Sequence, residues 1–151
     1  MGAILKEANL SGVKVDRNRK GANLQDAYLM GANLEGADRE GAILRGAQLE
    51  NAALRGADLT RAYLTDANLT GANLRYAKLT FANLTDASLS GANLTDANLS
   101  RADLSGANLT DANLTDANLT GADLSGADLP DANLAGANLT GATMPDGTIH
   151  D

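Results

Sequence analysis

The segment Ala107-Asn108-Leu109-Thr110-Asp111-Ala112-Asn113-Leu114-Thr115-Asp116 decides how the chain folds, because it states one quintet twice without a change. Outward from it, alanine returns every five residues from Ala22 to Ala142, 25 times in succession. A leucine stands two places after each alanine, and only Arg39 and Met144 break the rule. The unit is Ala-(Asn/Asp)-Leu-(Thr/Ser)-(Gly/Asp).

A five-residue period suits neither regular element. An α-helix advances about 100° per residue, so leucines five apart step by about 140° and spray around the cylinder. The Asn, Asp, Thr, Ser and Gly between them are also poor helix formers. In a plain strand the side chains alternate with period two, and an odd repeat sends successive leucines to opposite faces. One solution keeps Ala and Leu inside together. Each quintet is a short extended segment, Ala in, Asn out, Leu in, Thr out, and the chain bends at the fifth residue. Gly, Asp and Asn suit such corners because they tolerate positive φ or bond their own backbone. Repeated corners wind the chain into a solenoid whose narrow axis Ala and Leu fill. At about 1.5–3 kcal/mol per buried leucine, the axis offsets the chain entropy of so regular a coil.

These quintets resemble the pentapeptide-repeat family over nearly the whole chain. The resemblance implies an all-β fold, a right-handed quadrilateral β-helix with four quintets per coil. Counted that way, coils centre on Leu24, Leu44, Leu64, Leu84, Leu104 and Leu124, and a first coil precedes them. About seven coils at roughly 4.8 Å each make a rod some 35 Å long. No α-helical cap is expected before the repeats, a departure from some family members. The expectation is a single domain over residues 1–151. Residues 1–20 form its first coil, with a register break near Asp16, since Val15 and Leu24 lie nine steps apart rather than ten. Arg19 and Arg39 fall on successive inward positions of one side, where they either pair with Asp16, Asp38 and Glu40 or swing out, and a local opening of the coil is the plainer expectation. An acid-binding role for Lys14, Arg17, Arg19 and Lys20 is the alternative. Residues 143–151 are expected to close the other end, and they resemble a terminal segment of cyanobacterial and plant members. An open coil end presents unpaired backbone groups, so an end-to-end homodimer through the first coil is a further expectation.

Composition narrows the function classes. A net charge of −7 and a pI near 4.5 argue against nucleic-acid or anionic-membrane partners, which need a basic face. Zero cysteines remove disulfides and thiolate metal sites from consideration. No apolar run approaches a membrane span and no signal-peptide core is visible, so a cytoplasmic protein is expected. A mature chain whose signal had been removed would read the same. Catalysis finds little support: the one histidine, His150, stands next to the last residue. No Gly-rich phosphate loop opens a helix. Neither a cofactor nor a metal is implied, and the chain reads as no enzyme.

With four quintets per coil, equivalent side chains of successive coils stack, and one cluster stands out. Arg61, Phe81 and Arg101 share a corner column, and Tyr76 occupies the neighbouring corner. Arg55 and Arg75 flank Tyr76, and Lys78 faces outward between the two corners. Arginine over aromatic rings is the chemistry of interaction hot spots, so these seven residues form a candidate protein-docking patch. The plainer reading is that Arg–ring stacks merely brace adjacent coils. Thr60, Thr80, Ser100, Thr120 and Thr140 make a hydroxyl ladder, and Asn98, Asn118 and Asn138 another; both are expected to bond along the stack. The function expected is a non-enzymatic rigid scaffold for an unidentified protein partner. The resemblance supplies an alternative, a DNA-mimicking inhibitor of a type II topoisomerase, for which −7 over about seven coils is modest.

Overall fold

Asn68 shows how each quintet is built, in a computed structural model that describes residues 23–36 and 40–151. Every backbone amide from Ala67 to Gly71 finds a partner. Ala67 N–H donates to the Leu64 carbonyl at 3.0 Å and closes the corner before it. Asn68 N–H reaches back one coil to Ala47 O at 2.9 Å, while Leu69 N–H and Gly71 N–H reach forward to Ser88 O and Ser90 O at 2.7 and 2.9 Å. The remaining amide, Thr70 N–H, donates to the Asn68 side-chain oxygen at 3.1 Å. Three bonds thus tie coil to coil, one closes the corner, and the second-position Asn supplies the last. That requirement explains the Asn/Asp preference: a short side chain ending in an acceptor caps the amide two places on.

Among the described residues, parallel bridges join each quintet to the fourth one after it, from Asn23↔Ile43 to Asp123↔Thr143. Four quintets therefore complete one turn, and six coils are described. The architecture is the expected right-handed quadrilateral β-helix. Pairing is limited to one bridged residue per quintet, because a corner follows before a second can form. All 24 fifth-position residues from Asp26 to Gly141 adopt positive φ, between 54° and 71°. This left-handed residue is the bend that restores the inward direction.

The axis is dry. From Ala42 to Leu124 every repeat alanine and leucine is at most 2% exposed. Beyond Ala127 the last coil is only partly buried, with Leu129, Leu134 and Leu139 on its open rim. Residues 143–151 turn back onto that rim. Thr143 and Ile149 form the one antiparallel bridge among the described residues, and Gly141 N–H and His150 N–H donate to His150 O and Ala142 O. The register break near Asp16, the first coil, Arg19, Arg39 and the basic cluster of Lys14, Arg17 and Lys20 lie outside the described residues.

The ladder expectation needs correction. The oxygens of Asn98, Asn118 and Asn138 do not bond along the stack; each turns onto the backbone N–H two places on, at 3.0–3.1 Å. Local geometry prevails because that amide has no other partner within the coil. Hydroxyls do bridge coils in places, as between Thr80 and Ser100 at 3.4 Å and Thr70 and Ser88 at 3.0 Å.

Candidate functional site

One flat face of the rod carries Asp58, Lys78 and Asn98 on successive rungs, joined by the bridges Asp58↔Lys78 and Lys78↔Asn98. The fifth-position columns of Tyr76 and Phe81 border it. On the first corner, the Arg55 and Arg75 guanidinium carbons lie over the Tyr76 ring, 5.1 and 4.8 Å from its centre. Arg75 also donates to the Tyr76 hydroxyl at 3.0 Å. On the second, Arg61 and Arg101 sandwich Phe81 at 5.7 and 5.6 Å. All seven residues expected in the patch, Arg55, Arg61, Arg75, Tyr76, Lys78, Phe81 and Arg101, thus meet on one face and its corners. Tyr76 and Phe81 remain 43% and 46% exposed, which leaves both rings open to a partner.

Three acids belong to this surface that the column reading did not include. Glu40 pairs with Arg61 at 3.5 Å, Asp96 with Arg75 at 3.7 Å, and Asp58 with Lys78 at 3.3 Å. The Glu40–Arg61 and Arg75–Asp96 pairs each span one place more than a full coil, as does Arg45–Asp66 elsewhere on the rod. The fourth residue of one rung reaches the corner residue of the next. A search of the sequence at one coil plus one place, beside the coil repeat itself, would have found them. Burial works to raise the Asp58 carboxyl, but hydrogen bonds from Thr60 and the Lys78 ammonium prevail and hold it below its ordinary value. Arg55 and Arg101 form no ion pair with any described residue.

The backbone separates this patch from the remaining surface. Twelve of the corner residues in the left-handed conformation are not glycine, and eight of them are Asp or Asn. The other four are Arg61, Tyr76, Phe81 and Arg101, all in the patch. A residue other than Gly in that region costs roughly 1–2 kcal/mol, and Asp and Asn tolerate it best. An exposed Arg–ring stack returns about 0.5–1 kcal/mol. Four stacks therefore do no more than offset four strained corners, and bracing alone supplies no net stability.

Other exposed aromatics, Tyr28 and Tyr63, lie on different faces, and no Arg or Lys is found over either ring among the described residues. No group of three or more His, Asp or Glu is placed to hold a metal ion among the described residues. Nor is any helix there long and apolar enough to cross a membrane.

Comparison with known proteins follows the same lines. The pentapeptide-repeat model matches residues 20–46, 42–80, 72–111 and 107–146. No curated protein sequence matches the chain. Among solved structures, a pentapeptide repeat protein from the Arabidopsis thaliana thylakoid lumen is 39% identical over 72% of each chain, with a TM-score of 0.54. HetL, a pentapeptide repeat protein involved in heterocyst differentiation regulation in the cyanobacterium Nostoc, is 32% identical over 99% of this chain and 92% of its own, with a TM-score of 0.42. A second Nostoc pentapeptide repeat protein is 47% identical over 56% of this chain and 66% of its own, with a TM-score of 0.47.

Proposed function

The chain belongs to the pentapeptide-repeat family, and from that premise we propose that it is a non-enzymatic scaffold that docks a protein partner on its Arg–aromatic face. The observation that carries this reading is the confinement of strained, non-Asx corners to Arg61, Tyr76, Phe81 and Arg101. Stacked rungs hold these side chains at fixed spacing, so a partner orders little on binding. The test replaces Arg61, Phe81 and Arg101 together by Ser and compares capture of partners from native extracts. Loss of a captured protein with an unchanged melting profile supports docking; an unchanged capture pattern removes it.

A second reading draws on the distribution of charge. Residues 81–151 carry ten Asp and a single base, Arg101, a net −9, whereas residues 1–80 carry a net +2. Because the described coils follow sequence order, the acidic second half lies toward one end of the rod. The average of −7 over the whole molecule therefore understates the acidity of the second half. In the three coils of residues 81–140, eight Asp face one Arg. At about 4.8 Å per coil this is one net charge per roughly 2 Å of axis, close to the one per ~1.7 Å of duplex DNA. A duplex-imitating inhibitor of a type II topoisomerase is the function this density favours. A supercoiling assay with no inhibition disposes of it.

Two further proposals concern assembly and location. Pairing through the first coil is tested by sedimentation, and a concentration-independent monomer removes it. A cytoplasmic location is proposed, and fractionation that places the protein in an exported compartment removes it.

A further inference from the structure

We infer that the occupant of the Arg–aromatic face is an acidic segment of another protein, an extended stretch whose Asp or Glu carboxylates bridge Arg55 and Arg101. The inference rests on the docking reading above and adds the chemistry of the partner. Five cations crowd this face and its corners, in a chain whose net charge is −7. Three of them are answered by acids of the rod itself, at 3.3–3.7 Å and in solvent. Exposed pairs of this kind hold weakly and exchange readily. The other two, Arg55 and Arg101, stand on opposite corners without an ion-pair partner among the described residues.

Each of these two guanidinium groups lies over a ring, Tyr76 or Phe81. A guanidinium occupied on its face keeps the N–H donors of its edge, and those donors match the two oxygens of a carboxylate. The rings add apolar area beside the charge, which suits a peptide better than a bare anion. The same face already binds carboxylates intramolecularly, through Glu40, Asp58 and Asp96.

The probe is a fluorescein-labelled Glu-rich peptide titrated into the intact chain, beside its Gln counterpart and an oligonucleotide of equal charge. Saturable binding of the Glu peptide is expected, weakened by salt and by Arg55→Ala with Arg101→Ala at least about tenfold. Arg45→Ala, on another face and paired with Asp66, is expected to leave it unchanged. Equal binding of the Gln peptide, tighter binding of the oligonucleotide, or indifference to the double substitution overturns the inference. So does a shift of the chain to a dimer that occupies the face with a second copy. Should the Glu peptide fail while capture from extracts still depends on Arg61, Phe81 and Arg101, only the acidic partner falls. If both fail, the docking reading falls with it.

Discussion

At the scale of single residues, the corner decides what each side chain may be. Gly91 and Gly106 occupy equivalent corners at φ 62° and 67°, yet their surroundings differ. A Cβ on Gly91 meets open space, whereas one on Gly106 runs into the Asp86 carboxylate oxygen from the coil before. Gly91→Ala is expected to cost about 1–2 kcal/mol for the left-handed backbone alone. Gly106→Ala should cost more, and denaturant titration of the two variants reads the difference. Asp123 offers a second residue-level check. Hydrogen bonds from the Ser125 hydroxyl and then its amide hold the Asp123 carboxyl below its ordinary value. A carboxyl with a depressed folded pKa contributes stability above its unfolded pKa and loses it as pH falls through the folded value. The contribution is therefore full at neutral pH and disappears only in acid below about pH 4. An NMR titration should place Asp123 low in the wild type and move it upward in Ser125→Ala. An unmoved midpoint removes the hydroxyl as the cause.

At the scale of the quintet, the second position supplies the cap for the fourth amide. From Asn93 to Asn138 every second position is Asn or Asp, whereas the earlier rungs carry exceptions such as Ala53, Tyr63 and Lys78. Ala53 bridges Asn33 and Asn73, so its backbone already has the shape an Asn requires. Ala53→Asn should therefore cap the Arg55 amide and stabilise the rod by about 0.5–1.5 kcal/mol. The reverse change, Asn118→Ala, removes the acceptor used by both the amide and the hydroxyl of Thr120, and should destabilise by a similar amount. Chemical denaturation of both variants measures the pair. Equal midpoints would detach the Asn preference from capping.

For the molecule as a whole, every inward side chain touches the same axis, so one void affects several rungs. Leu79 is fully buried among its neighbours, and Leu79→Ala is expected to cost about 2–5 kcal/mol. Thermal unfolding should show whether that loss lowers the whole transition or splits off one end. The Ala/Leu period determined by itself that the chain bends after every fifth residue, because no helix or flat strand can turn both side chains inward. It also marked the fifth position as the corner, since Gly and Asp recur there at a fixed distance from the inward pair. These are local consequences, and a local pattern is enough to state them. The number of quintets per turn came from family resemblance, and the bridges between every fourth quintet bear it out. Which outer side chains meet is another matter. The pairing of Arg61 with Glu40 and of Arg75 with Asp96, and the hydroxyl bridge between Thr70 and Ser88, depend on how one rung overlies the next. That overlay is set by hydrogen bonds between rungs a full coil apart in the chain, so only the tertiary structure decided it.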